Sequence, residues 1–211
     1  MDLISLNNFL LFAFASLMLN ITPGNDMIYV ATRSINNGIK AGIISAIGIS
    51  IGGVVHMTAS VLGLSSVIAR SALLFDIIKY VGVAYLFYIG IKAILSKQDG
   101  YIFENSSPVD NRKILVQGIL TNILNPKVAL FFLAFLPQFI DTKAGNIPLQ
   151  LALLGIWFNF SGTTVNIIVA VMFGKMSNLL VGFPSFWKWQ SKFTGCVLCA
   201  LGVKLALTTR K

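Results

Sequence analysis

Charged residues are scarce in this chain of 211 residues: they make up 11% of it, whereas a soluble domain has about 25%. Acidic residues are fewest, with seven against 16 lysines and arginines. Hydrophobic residues make up 56% and the mean hydropathy is +0.82. This composition excludes an ordinary soluble domain and predicts an integral membrane protein.

The few acidic residues and the single histidine leave little material for a metal or catalytic site. A metal site needs several clustered ligands. An ATP-driven pump needs a glycine-rich loop followed by lysine and serine or threonine. Because neither pattern occurs, we expect no metal, no cofactor and no enzymatic activity.

Cysteine is limited to Cys196 and Cys199, which lie in the last apolar segment. In a soluble protein with a βαβ unit, this C-x-x-C spacing would indicate redox chemistry. Here no second pair and no histidine accompanies the two thiols. We interpret both cysteines as small residues that pack between helices.

The net charge of +9 raises the question of a nucleic-acid partner. The basic residues, however, cluster at the ends of apolar segments, where such residues orient membrane helices and meet anionic lipid. The expected partner is therefore the lipid bilayer and not nucleic acid. The start Met1-Asp2-Leu3 lacks the positive region of a signal peptide, so the first apolar segment is expected to remain as a membrane helix.

Six apolar segments approach or exceed the length of about 20 residues that spans a bilayer as a helix. They cover roughly residues 7–31, 41–66, 72–96, 114–139, 147–173 and 190–209. A longer polar joint divides them into two triplets. The chain, residues 1–211, is thus predicted to be one transmembrane domain with a first repeat (1–98), a loop (99–112) and a second repeat (113–211).

The two triplets resemble each other in sequence. A shift of 103 residues places Pro23 on Pro126 and His56 on Asn159. Because each half has three spans, the second half must enter the membrane from the opposite side. We therefore predict an all-α integral membrane protein whose six transmembrane helices form two inverted three-helix repeats, an architecture of secondary transporters.

Two apolar segments are interrupted near their middle, at Pro23 and Gly24 in the first half and at Pro126 in the second. Proline removes a backbone donor and frees a carbonyl one turn earlier. Such a break is tolerated in a membrane only where it faces protein or a wet cavity. Paired breaks in two halves therefore predict a binding site near the bilayer midplane.

Polar residues around the breaks are the candidates for binding a substrate. They are Thr22, Asn25, Asp26, Asn122, Asn125, Lys127 and Asn159. Asp26 and Lys127 have opposite charges and would suit the two poles of a zwitterionic amino acid. Two simpler roles for Asp26 stay open: an ion pair with Lys127 that joins two helices, and an N-cap after Gly24.

A proton is the second expected ligand. His56 lies in the middle of the second segment and titrates nearest to physiological pH, and Asp26 is an intramembrane carboxylate. Either residue could carry a coupled proton. A neutral His56 that only hydrogen-bonds between helices is an equally open alternative.

The distribution of lysine and arginine predicts the orientation. The joints after the first, third and fifth segments contain nine of these residues and the other side six, with intramembrane Lys127 left out. This bias predicts that both termini face away from the cytoplasm.

At these residues the chain resembles the lysine exporter (LysE) superfamily and, within it, the homoserine/threonine exporter (RhtB) family. The motifs that carry the resemblance are Thr22-Pro23-Gly24-Asn25-Asp26, Gly52-Gly53-Val54-Val55-His56, Asn122…Asn125-Pro126-Lys127 and Phe135-Leu136-Pro137-Gln138-Phe139. The resemblance covers nearly the whole chain. Asn25 stands where family members often have proline, which leaves Asp26 in place but makes the break less rigid.

The resemblance implies a multi-pass protein of a bacterial inner membrane that exports amino acids or close derivatives, with neutral, threonine-like or homoserine-like substrates expected first. It further implies antiport driven by the proton-motive force, and it allows a homodimer. Two other functions stay open: a transmembrane thiol–disulfide relay, which the same superfamily includes, and a passive channel.

Overall fold

The computed structural model describes residues 3–65, 72–95, 110–175 and 184–207, and it contains only helices and their connections in these ranges. The α-helices are α1 (Leu6–Ile21), α2 (Asn25–Ala59), α3 (Ala72–Leu95), α4 (Asn111–Ile123), α5 (Pro126–Leu130), α6 (Ile147–Lys175) and α7 (Pro184–Leu207). The prediction of an all-α protein is confirmed for the described residues.

Two helices continue in a different helical form. A π-helix, Ser60–Leu64, follows α2, and a π-helix at Phe131–Phe135 with a 3₁₀-helix at Leu136–Phe139 follows α5. In the second half, the axis bends by 45° between α4 and the stretch Pro126–Phe139. The predicted segment 114–139 is thus one broken helix.

The stretch 32–40 between the first two predicted apolar segments is helical except at Gly38. Helix α2 runs for 35 residues, and the only non-helical backbone inside it is at Gly38, with φ 84° and ψ 170°. Because this φ is strained for residues with a side chain, glycine allows a sharp kink without a loop. The kink separates the first predicted segment from the second.

The last helix also begins earlier than predicted, at Pro184 instead of residue 190. Proline is favoured in the first turn of a helix, and the stretch that follows contains tryptophan and lysine, which suit the membrane interface. The predicted loop 99–112 lies outside the described residues except for its last three positions.

Length and apolarity identify membrane spans directly in part of the described chain. Helix α2 with its π-helical continuation is long and apolar enough to cross a membrane, and so is α6. Helix α4 and the stretch Pro126–Phe139 pass the same test together. Helix α1, with 16 residues, is shorter than the usual span because the break at Pro23 ends it.

Helix α2 is central to the fold, since it packs along both α4 and α6, while α3 packs along α7. At the crossing of α2 and α4, a Cβ atom at Gly118 would lie only 2.9 Å from the carbonyl oxygen of Ser45. Gly48 faces Gly118 across this contact. Glycine on both helices is what allows their backbones to approach so closely.

Candidate binding site at the helix breaks

The first break lies between α1 and α2. Thr22 ends α1, where its backbone N–H donates to the carbonyls of Met18 and Leu19 at 3.1 and 3.2 Å. Pro23 has no N–H and so cannot donate to Leu19, its helical partner four residues earlier. Gly24 then caps α2 with an extended backbone, φ −167°.

The second break lies between α4 and α5. Helix α4 ends at Ile123, and α5 begins at Pro126. The buried side chain of Asn125 caps α5, since its Oδ1 accepts a hydrogen bond of 3.0 Å from the backbone N–H of Lys127. Asn125 therefore stabilises the break itself, and its buried Nδ2 has no hydrogen-bond partner among the described residues.

Lys127 connects the two breaks. Its ammonium donates to the carbonyl oxygens of Thr22 at 3.0 Å and Leu19 at 3.2 Å. The Leu19 carbonyl is the one that Pro23 leaves without its helical donor, so a cation from the second half caps the end of α1. The approach is close: a Cβ atom at Gly24 would lie 3.1 Å from Lys127 Nζ.

Asp26 is held by an amide and not by Lys127. Its Oδ2 accepts a hydrogen bond of 2.9 Å from Asn122 Nδ2. The direct Asp26–Lys127 ion pair considered from the sequence is absent among the described contacts, because the Lys127 ammonium is directed at backbone carbonyls. The N-cap role is also wrong: Gly24 is the cap, without a side-chain hydrogen bond, and Asp26 lies within the first turn.

Two acceptor atoms beside this contact receive no hydrogen bond from the described residues. They are Asp26 Oδ1 and Asn122 Oδ1, and both are buried. A buried oxygen that has lost its contact with water costs free energy unless a donor reaches it. The pair therefore marks a place where a ligand with N–H or O–H groups would gain binding energy.

His56 contacts the same asparagine. Its Nε2 lies 3.1 Å from the backbone oxygen of Asn122. Because a carbonyl can only accept, Nε2 carries the hydrogen in this contact. The imidazole also stacks on Phe132 with ring centroids 6.0 Å apart. Asn122 thus contacts both residues that were predicted to carry a proton. Its backbone oxygen contacts His56, and its side-chain amide contacts Asp26.

Asn159 and Asn20 hold neighbouring helices. Asn159 Nδ2 donates to the carbonyl of Ser50 at 3.1 Å. Asn20 Nδ2 donates to Phe158 O at 3.2 Å and to Ser161 Oγ at 3.0 Å. Both amides join α6 to the first half of the chain.

A cavity of about 30 Å³ lies where these groups converge. Its lining comprises Asn20, Thr22, Asp26, Met27, Ile49, Gly53, Asn122, Lys127, Val128, Phe158, Asn159, Gly162, Thr163 and Asn166. The volume suffices for about one or two water molecules. The site is thus closed in this conformation, and a larger ligand requires the helices to move apart.

Five of the predicted binding residues line this cavity: Thr22, Asp26, Asn122, Lys127 and Asn159. Three predicted site residues do not. Asn25 is exposed on another face of α2, and Asn125 acts as a helix cap. His56 contacts the backbone of Asn122 and does not line the cavity.

Sequence reasoning missed Gly162 and Thr163 and did not assign Asn20 or Asn166 to the site. Asn159, Gly162, Thr163 and Asn166 follow the spacing i, i+3, i+4 and i+7, which places them on one face of a helix. This polar stripe on an otherwise apolar helix was the available signal.

The sequence model of the LysE type translocator family matches residues 17–209. The chain is 32% identical over 207 residues to the uncharacterized membrane protein YrhP of Bacillus subtilis, covering 90% of this chain and 94% of that protein. It is 28% identical over 202 residues to an uncharacterized membrane protein of Vibrio cholerae, covering 93% and 95%.

A third relative has a functional name. The chain is 31% identical over 140 residues to the leucine efflux protein of Klebsiella pneumoniae, and this match covers 65% of each protein. No solved structure matches the chain.

Proposed function

The chain belongs to the LysE type translocator family, and on that premise we propose that it is a secondary transporter that exports neutral amino acids across the bacterial inner membrane in exchange for protons. The relative named leucine efflux protein supports this substrate class. The proposed substrate class also includes neutral amino acids similar to threonine or homoserine.

The observation that carries the proposal is the pair of buried acceptors without donors, Asp26 Oδ1 and Asn122 Oδ1. An α-ammonium group has three N–H donors and a positive charge. It would satisfy both oxygens and pair with the Asp26 carboxylate at once. Every amino acid has this group, so the site would recognise the class before the side chain.

Lys127 is the proposed partner of the substrate carboxylate. An ammonium has three donors, and the two contacts to Leu19 and Thr22 leave one N–H of Lys127 for a ligand. Since Lys127 and Asp26 both line the cavity, the two poles of a zwitterion would each meet an opposite charge.

Six membrane helices in two inverted repeats suit this function. The predicted symmetry mates pack against each other: the C-terminal part of α2 lies along α6, and α3 lies along α7. Each half also contains a proline break, and Thr22 and Lys127, which adjoin the two prolines, line the cavity. Movement of one repeat against the other would open the closed cavity first to one side of the membrane and then to the other.

The proton is proposed to use Asp26 and His56, which Asn122 connects. A protonated Asp26 no longer attracts an ammonium group. Substrate and proton would therefore compete for the carboxylate, which is the simplest basis for antiport. His56, which contacts the backbone of Asn122, would deliver the proton to Asp26.

The alternative functions have less support. Cys196 and Cys199 lie on one helix, Cys196 is exposed, and Cys199 Sγ lies against Gly90 of α3. Neither cysteine is among the residues that line the cavity. A passive channel would only equilibrate the substrate, and the vesicle experiment distinguishes it from a gradient-driven exporter.

The proposal is tested with purified protein in lipid vesicles, by measuring transport of labelled leucine, threonine, homoserine and lysine with and without a pH gradient. We expect accumulation of at least one neutral amino acid that an uncoupler abolishes, and no transport of lysine. Transport that only equilibrates the substrate would indicate a channel, and no transport of any of the four would refute the substrate class.

The membrane orientation, with both termini outside the cytoplasm, belongs to the same proposal. Fusions of a periplasmic reporter and a cytoplasmic reporter to the C-terminus check it. Activity of the cytoplasmic reporter alone would show that the orientation is the reverse.

A homodimer also stays a prediction. The mass of the protein in detergent would show whether it is a monomer or a dimer.

A further inference from the structure

A second cavity lies beside the breaks, between the beginning of α2 and the C-terminal half of α4. Its volume is about 500 Å³, which is within the range of small-molecule sites, about 300–1,000 Å³. Its lining consists of Asn25, Ile28, Tyr29, Thr32, Arg33, Thr121 and Leu124. We call it the Arg33 groove.

Arg33 is held rigidly in the wall of this groove. Its guanidinium donates to Gln117 Oε1 at 2.8 Å and to Asn37 Oδ1 at 3.4 Å. It also lies 5.4 Å from the centroid of the Tyr29 ring, whose hydroxyl donates to the Ile114 carbonyl at 2.8 Å. The cation is therefore positioned before any ligand arrives, which lowers the entropic cost of binding.

The charge of Arg33 is not neutralised by the described part of the protein. Its partners there are amide oxygens and an aromatic ring, and no carboxylate contacts it. A guanidinium has five N–H donors in a planar fork, of which the two amide contacts use two. The remaining donors suit the two oxygens of a carboxylate.

The Arg33 groove adjoins the cavity at the breaks. Asn25 and Thr121 line the groove, and their chain neighbours Asp26 and Asn122 line the cavity. Arg33 follows Asp26 by seven residues on one helix, so the two charges lie about 10 Å apart along the axis on the same edge. A single amino acid is too short to contact both charges at once. One molecule would therefore have to occupy the groove and the cavity in succession.

We propose that the Arg33 groove is a second substrate site, in which Arg33 binds the carboxylate of a neutral amino acid before the molecule passes to the cavity at the breaks. Ile28 and Leu124 would contact its apolar side chain. This inference rests on the proposed function, because it takes the same substrate class.

The test uses a reporter cysteine in the groove. In a protein with Cys196→Ser and Cys199→Ser, Thr32→Cys introduces a thiol beside Arg33. The Thr32 side chain makes no hydrogen bond to the described residues. The rate of maleimide labelling is measured in phosphatidylcholine vesicles against increasing leucine or leucinamide, which lacks the carboxylate. The measurement is repeated with Arg33→Gln and with the control Arg112→Gln, a change at an exposed arginine near the start of α4.

We expect leucine to slow the labelling and leucinamide to do so much less well. In Arg33→Gln, the leucine concentration that gives half protection should rise about 10- to 100-fold, the range for a charge-assisted hydrogen bond, and the difference between leucine and leucinamide should disappear. Arg112→Gln should behave like the starting protein.

The proposal is overturned if leucine gives no protection, or if it protects the Arg33→Gln protein equally well. Slower labelling on addition of phosphatidylglycerol to the vesicles, dependent on Arg33 while leucine has no effect, would instead assign the groove to a lipid headgroup and would also overturn it. The readout is binding and not turnover, so leucine protection through Arg33 could hold even if the vesicle assay showed no transport.

Discussion

The side chain of Asn122 donates a hydrogen bond of 2.9 Å to the carboxylate of Asp26, so an amide from the second half of the chain holds the acidic residue of the first. The same asparagine accepts from His56 through its backbone oxygen, at 3.1 Å. Three polar residues from both halves are thereby coupled beside a closed cavity. Each can be changed separately, because each makes a different contact.

Replacement of Asn122 by leucine removes the amide but keeps the approximate volume. We expect the KM for transport to rise roughly 10- to 100-fold, since Asp26 loses its oriented hydrogen bond and the proposed ammonium site loses one acceptor. The His56 contact should persist, because it uses the backbone. An unchanged KM in vesicle transport would show that Asn122 has no part in binding.

Replacement of Lys127 by methionine tests the cap across the two breaks. The Thr22 carbonyl would lose the Lys127 donor, and the Leu19 carbonyl would keep only its 3.2 Å contact with the Thr22 N–H. This should destabilise the protein by about 1–3 kcal/mol for the one buried group left unpaired. The thermal unfolding midpoint in detergent measures this loss. Equal stability of Lys127→Met and the unaltered protein would contradict the role of Lys127 as a cap of α1.

The contact between α2 and α4 predicts a steric effect at Gly118. In Gly118→Ala the new methyl group would meet the Ser45 carbonyl oxygen at 2.9 Å, and we expect a loss of stability of about 1–3 kcal/mol. The matched control is Gly63→Ala, because no side chain and no neighbouring helix of the described residues lies within 4 Å of a Cβ atom built at Gly63.

The comparison of the two variants uses their unfolding midpoints under identical conditions. Gly118→Ala should lower the midpoint and Gly63→Ala should leave it nearly unchanged. Equal midpoints would show that the two helices do not pack as closely as the structure indicates.

Replacement of His56 by glutamine separates proton transfer from helix contact. Glutamine can still donate to the Asn122 carbonyl, but it cannot titrate. We expect exchange of labelled for unlabelled substrate to continue, while accumulation driven by a pH gradient is lost. Gradient-driven accumulation by His56→Gln at the original rate would assign His56 to structure alone.

The sequence predicted the breaks correctly because proline and glycine act through their own backbone chemistry. Proline disrupts the helical hydrogen-bond pattern, and here Pro23 lies between α1 and α2 while Pro126 begins α5. The convergence of Asp26, Asn122 and Lys127 on one cavity also followed from the paired breaks. Both features follow from the local backbone chemistry of proline and from the polar residues that accompany the two breaks.

The partners of the charged groups could not be read from the sequence. An Asp26–Lys127 ion pair is reasonable for two opposite charges, yet Lys127 binds the carbonyl that Pro23 frees. This choice depends on where the two breaks meet in space. The kink at Gly38 was missed for a related reason, since the polar residues around it are equally compatible with a loop and with a helix that turns sharply.

The central claim is that Asp26 binds the amino acid, and its most direct test is leucine transport in vesicles by Asp26→Asn beside the control Asp76→Asn, a change at an exposed carboxylate of α3. The amide cannot carry the negative charge that attracts the ammonium, so we expect Asp26→Asn to lose gradient-driven leucine transport while Asp76→Asn retains it. Equal transport by the two variants would contradict the claim and move the binding site away from the helix breaks.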